Sequence, residues 1–75
     1  MRILISGASG YLGSRLCKEL KRDHHIIALT RNPDKFNQFN EKIADKIIIL
    51  KSFDNNFLKK VIDSKPEIFI HLISL

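Results

Sequence analysis

A chain of 75 residues, 44% hydrophobic and 28% charged, has room for one small domain with a thin core. It contains no apolar run of membrane-spanning length, no secretory-type stretch after Met1, and a single cysteine, Cys17, so a membrane span, an internal disulfide and a thiolate metal site are not expected and the expected compartment is cytoplasmic. The net charge of +5 is scattered from Arg2 to Lys65 with acids interleaved, which indicates solvated helix faces rather than a nucleic-acid footprint.

Residues 2–6, RILIS, are largely apolar and stop at a glycine, the pattern of a short strand buried on both faces. The chain's 3 glycines follow close together, as Gly7, Gly10 and Gly13. Leu12, Leu16 and Leu20 then recur every four residues with Cys17 beside them, opposite Ser14, Arg15, Lys18, Glu19, Lys21 and Arg22, which predicts an amphipathic helix. HIIALT predicts a second strand. RNPDKFNQFN opens with a turn and sets Pro33 in the first turn of another helix, with Phe36, Phe39 and Ile43 on its inner face. KIIIL, residues 46–50, predicts a third strand. NNFLKKVIDSKPE predicts a helix carrying Phe57, Leu58, Val61 and Ile62; it ends at Lys65-Pro66, because proline disfavours helical geometry in the residue before it. EIFIHLISL predicts a fourth strand that runs to Leu75.

Strands alternating with helices, joined by connections long enough for crossovers, predict an α/β fold: a parallel four-stranded sheet with helices on both faces. The expected spatial order is 3-2-1-4, a Rossmann-like half-domain. No linker, repeat or low-complexity segment divides the chain, so residues 1–75 read as one truncated domain.

Glycine tolerates positive φ and lets another atom approach the main chain closely, so the glycine cluster requires an explanation. A glycine-rich turn between a buried strand and a helix aims free backbone N–H groups and the positive end of the helix dipole at one spot, which suits pyrophosphate. Gly7 would make the turn out of the strand, Gly10 would let phosphates reach the backbone, and Gly13 would let the helix pack on the sheet. Packing alone, as the competing explanation, accounts well for Gly13 and poorly for Gly10.

The run Gly7-Ala8-Ser9-Gly10-Tyr11-Leu12-Gly13, together with PEIFIHLIS at residues 66–74, resembles the N-terminal half of an extended short-chain dehydrogenase/reductase. That group holds sugar-nucleotide epimerases, dehydratases and related reductases. The resemblance implies that the backbone from Ser9 to Leu12, including Tyr11, meets the pyrophosphate of NAD or NADP, and that Leu72, Ile73 and Ser74 line the cofactor trough. An acid at the end of the second strand holds the ribose hydroxyls of NAD, whereas an arginine accommodates the 2′-phosphate of NADP. Thr30-Arg31-Asn32 carries the arginine and no acid, which favours NADP, with Lys35 as a weaker helper and an exposed turn charge as the competing reading of Arg31. The chain departs from the group at Lys51, where relatives usually carry an Asp for adenine, followed by Ser52 and Phe53. It departs also at Ile73, bulkier than usual, and at His24, where a glycine often ends the first helix.

Hydride transfer in that group uses a Tyr-x-x-x-Lys pair in which lysine lowers the tyrosine pKa. The single tyrosine here, Tyr11, is followed four residues later by Arg15, so no catalytic residues are assigned and the second mononucleotide half and substrate lobe are expected to be missing. His24, His25 and His71 have no metal-site spacing; Cys17 and the phenylalanines Phe36, Phe39, Phe53 and Phe57 read as packing residues. Ile68, Phe69, Ile70, Leu72, Ile73 and Leu75 leave an apolar fourth-strand edge in need of cover, which predicts marginal stability or pairing with another protein chain. The functional expectation is a dinucleotide-binding fragment that does not catalyse on its own. The alternative is a non-catalytic NADP(H) sensor that recruits a partner along that edge.

Overall fold

The computed structural model describes residues 1–32, 34, 42–51 and 54–72. Strands β1 (Arg2–Ser6), β2 (His25–Thr30), β3 (Lys46–Ile49) and β4 (Ile68–His71) form one parallel sheet in the order β3-β2-β1-β4, with helices α1 (Tyr11–Leu20) and α2 (Asn55–Asp63). The α/β class and the 3-2-1-4 order are therefore those expected. The helix expected after Pro33, with Phe36 and Phe39, lies outside the described residues, as do Ser52, Phe53, Ile73, Ser74 and Leu75; Ile43 is described and buried.

Side chains alternate across a strand, so each central strand serves two cores. Ile3, Ile5, Ile26 and Ala28 point to one face, where Cys17 of α1 packs with Leu16 and Leu20 beside it. Leu4, Ile27, Leu29 and Ile48 point to the other, under Phe57 and Val61 of α2. Helices thus cover both faces. Burial of each large aliphatic side chain contributes about 1.5–3 kcal/mol, which is what a sheet of such short strands has to live on.

The contact faces of both helices differ from the apolar positions that spacing picks out. In α1 the buried residues are Gly13, Ser14 and Cys17, while Leu12 is 64% exposed. The cause is Gly13: having no side chain, it lets the helix backbone touch the turn, and the inward face rotates to centre on it. Ser14 is carried inside with its hydroxyl donating to the Tyr11 carbonyl at 3.1 Å. In α2 only Phe57 is buried, and Leu58 and Ile62 are 51% and 70% exposed.

His24, at the place where a glycine often ends the first helix in the resembling group, does not have a positive φ. The Lys21 N–H bonds to the Cys17 carbonyl and the His24 N–H to the Leu20 carbonyl. Among the described residues the non-glycine with positive φ is Lys65, at 51°, where α2 ends ahead of Pro66. Arg2 then joins the helix end to the sheet. Its Nε donates to the Ser64 carbonyl at 2.7 Å, satisfying a terminal helix acceptor, and its backbone exchanges bonds with Glu67 just before β4.

Among the described residues β4 spans Ile68–His71, and residues 73–75 of the expected strand lie outside them. It is an edge strand bonded to β1, and no described residue pairs along its other side. Ile68 and Phe69 are 40% and 57% exposed there.

Candidate nucleotide cradle

The chain runs from β1 outward to β3 and then returns across the sheet to β4, so loops diverge at the carboxyl ends of β1 and β4. A crevice forms at such a reversal in open α/β sheets, and ligands bind there. The glycine turn stands on its rim.

Each glycine of the turn answers to a different constraint. Gly7 has φ +68°, and a Cβ there would lie 2.5 Å from the Leu72 carbonyl oxygen. A Cβ on Gly13 would lie 2.2 Å from the Gly7 carbonyl oxygen and 2.9 Å from the Ala8 Cα. Both positions are closed by the protein's own backbone. Gly10 is different: its φ of −73° and ψ of 171° suit any residue, and a Cβ would meet only the Gly7 oxygen, at an ordinary 3.4 Å. Neither backbone strain nor internal packing accounts for a glycine at that position.

Gly10 is also the N-cap of α1 and offers no side-chain acceptor to the first turn, which contains no acid. Its carbonyl takes the Ser14 N–H at 2.9 Å, the first intrahelical bond. The amides of Tyr11, Leu12 and Gly13 precede that bond and keep the partial positive charge of an uncapped helix start. Tyr11 is 79% exposed; its Oη accepts from Arg15 at 2.8 Å, with the guanidinium 5.5 Å from the ring centre.

Two neighbouring strand ends frame the turn. At the end of β2 the buried Thr30 donates its hydroxyl to Ser9 Oγ at 3.0 Å and accepts the Asn32 N–H at 3.0 Å; Arg31 is exposed between them. At the ends of β1 and β4, Ser6 Oγ and His71 Nδ1 share a 2.5 Å hydrogen bond, and the Leu72 N–H reaches the Ser6 carbonyl at 3.3 Å. Leu72 is half-buried against the α1-side core. Thus Gly7, Ser9, Gly10, Tyr11, Leu12, Gly13, Arg31 and Leu72 come to one end of the sheet, Ile73 and Ser74 lie outside the described residues, and Lys51 is exposed just beyond β3.

Ser6 and Thr30 did not figure among the candidate residues. Their signal was present: each is a hydroxyl that ends a run of buried apolar residues, and a buried hydroxyl needs a partner. The histidines do not converge. His71 is at the carboxyl end of β4, whereas His24 and His25 stand at the opposite end of the sheet, each with one buried ring nitrogen that has no hydrogen-bond partner. Among the described residues no group of three His, Cys, Asp or Glu could hold a metal ion. Burial pushes the Cys17 thiol up to about 11, so it is a packing group and not a thiolate nucleophile at neutral pH.

Residues 3–74 match the family model described as "NAD dependent epimerase/dehydratase family". A curated relative, the 3-diazoavenalumate denitrifying reductase of a Streptomyces species, is 29% identical over 76 residues, covering 99% of this chain and 23% of its own length. The chain therefore spans about a quarter of the curated relative it matches.

Proposed function

The chain belongs to the NAD dependent epimerase/dehydratase family, and on that premise we propose that the turn between β1 and α1 holds the pyrophosphate of a nicotinamide dinucleotide, with NADP(H) preferred over NAD(H). One observation carries the reading: Gly10, whose missing side chain the fold does not require, lies at an uncapped helix start. An approaching phosphate oxygen needs that space and those amides. Gly7, Ser9, Tyr11, Leu12 and Gly13 complete the turn, and Leu72, Ile73 and Ser74 are assigned to the trough beyond it.

The preference for NADP(H) rests on Arg31, exposed at the end of β2 where no acid stands. A guanidinium there pairs with a 2′-phosphate, whereas an acid would repel it. When bound, the dinucleotide would supply hydride chemistry. These 75 residues include one tyrosine and no Tyr-x-x-x-Lys pair, so their assigned role is binding and not catalysis by themselves. A cytoplasmic setting, where both pyridine nucleotides are abundant and Cys17 stays reduced, belongs to the same proposal. Among the described residues no helix is long and apolar enough to cross a membrane.

Isothermal titration of the chain with NADPH, NADH and a short DNA duplex tests the reading. The expected result is heat with both nucleotides, tighter binding of NADPH, and none with the duplex. Silence with both nucleotides at millimolar concentration would overturn it.

The exposed Ile68 and Phe69 on the outer strand favour a second reading, a dinucleotide sensor that pairs another protein chain along β4. Sedimentation equilibrium separates the two. Concentration-dependent association supports the sensor, and a monomer throughout the micromolar range counts against it.

A further inference from the structure

We propose that Thr30 is a positioning residue for nucleotide selectivity: its hydroxyl fastens the phosphate turn to the turn that reads the ribose, so that both ends of the adenosine moiety are met at one fixed spacing. The inference rests on the dinucleotide reading above.

Thr30 closes β2 and is 4% exposed, whereas the four residues before it, Ile26 to Leu29, are buried and apolar. A buried hydroxyl costs stability unless it is hydrogen-bonded, so valine would be the default occupant of this strand end. Here both capacities of the hydroxyl are in use. Oγ1 accepts the Asn32 N–H at 3.0 Å and donates to Ser9 Oγ at 3.0 Å. One hydroxyl has a single proton, and Thr30 directs its own at Ser9 Oγ. Ser9 Oγ, having accepted, retains its own proton for a group outside the fold.

The result is a chain of three donors, amide to hydroxyl to hydroxyl, that ends within the glycine turn. Successive donors in a low-dielectric setting polarise one another, so the last becomes a stronger partner for an anion. The same hydroxyl holds the Asn32 N–H, which leaves Arg31 exposed between two residues, Thr30 and Asn32, that are bonded to each other. Thr30 touches neither the phosphate nor the ribose in this scheme. It sets the distance between the groups that do.

The test measures a ratio. Calorimetry on the full chain compares 2′,5′-ADP, which carries the 2′-phosphate, with 5′-AMP, which lacks it, for the wild type, Thr30→Val, Thr30→Ser and Ser9→Ala. The wild type is expected to favour 2′,5′-ADP. Thr30→Val is expected to lower that preference by about tenfold, the equivalent of losing one or two hydrogen bonds, and Thr30→Ser is expected to keep it. A role in folding alone weakens both ligands alike; an unchanged ratio in Thr30→Val overturns the inference and leaves the dinucleotide reading standing. Equal binding of both ligands by the wild type overturns the inference as well, and absence of binding to either removes the underlying reading with it. Should circular dichroism show Thr30→Val to be unfolded, Ser9→Ala severs the same bond from its half-buried partner. The same loss of ratio is then required.

Discussion

The two helices of this protein begin in opposite ways. α2 starts at Asp54, whose carboxylate accepts the Phe57 N–H at 2.9 Å, so the helix closes its own first turn. α1 starts at Gly10, which has nothing to offer. Both starts follow a strand at the same end of the sheet and both face the same problem, amides without intrahelical acceptors. The chain supplies its own anion at one and brings no side-chain cap or first-turn acid to the other, the place that the proposed function assigns to a pyrophosphate. A third site extends the contrast: Asp45 Oδ2 takes the Ile26 N–H at 2.7 Å where β2 begins, again a carboxylate brought to a backbone donor. The open helix start is thus a local choice within a chain that has acids to spare for the task.

Substitutions can break this comparison. The largest effect is expected from Gly13→Ala, because the new methyl would collide with the Gly7 carbonyl, a backbone group that cannot turn aside. A loss of about 3 kcal/mol or more is expected, enough to abolish a cooperative thermal transition in so small a domain. An unaltered melting curve would show that the glycine is there for another reason. Gly10→Ala inverts the pattern. Its methyl finds ordinary contact, so stability should stay within about 1 kcal/mol of the wild type while NADPH affinity drops tenfold or more, since the methyl takes the phosphate's place. Equal affinity in paired titrations would remove the main support for the cradle.

Asp54→Ala sharpens the contrast from the other side. Loss of the cap should cost about 1 kcal/mol in urea unfolding, with nucleotide affinity untouched. The smallest effect concerns pH. The Ile26 N–H holds the Asp45 carboxyl below the usual carboxylate range, helped by the charges of Lys21, His25 and Lys42 and opposed by burial. Since the folded pKa is lowered, this contribution is fully present above the unfolded value of about 3.9 and is lost as pH falls through the folded one. Asp45→Asn should flatten that acid limb of the stability profile while leaving the neutral region parallel to the wild type.

Much of this architecture was legible in residue order. β1 and β2 match RILIS and HIIALT residue for residue because apolar runs between turn-forming residues have few alternatives. The parallel sheet followed from the alternation of strands and helices, and its order from the doubly wound topology that such chains adopt. What periodicity could not supply was rotation about a helix axis. Leu12 fits a leucine stripe by spacing, yet Gly13 decides which side of α1 touches the turn, and that choice depends on a contact distance rather than on hydropathy. The Thr30–Ser9 and Ser6–His71 bonds were equally hidden, for they join residues 21 and 65 positions apart and depend on register across strands. Only the placement of a hydroxyl at the end of a buried strand hinted that some partner existed.

Arg2 has a kinetic consequence. It grips Ser64 and Glu67, and β1 takes β4 as a neighbour across almost the whole chain. Long-range closure of this kind is slow, since the chain gives up its freedom before the contacts reward it. During synthesis β1, β2 and β3 emerge with their mutual pairings available, while one flank of β1 stays bare until β4 arrives. The close approach of Leu72 to Gly7 forms only when β4 docks on β1, so the floor of the turn is completed by a contact between residues 65 positions apart.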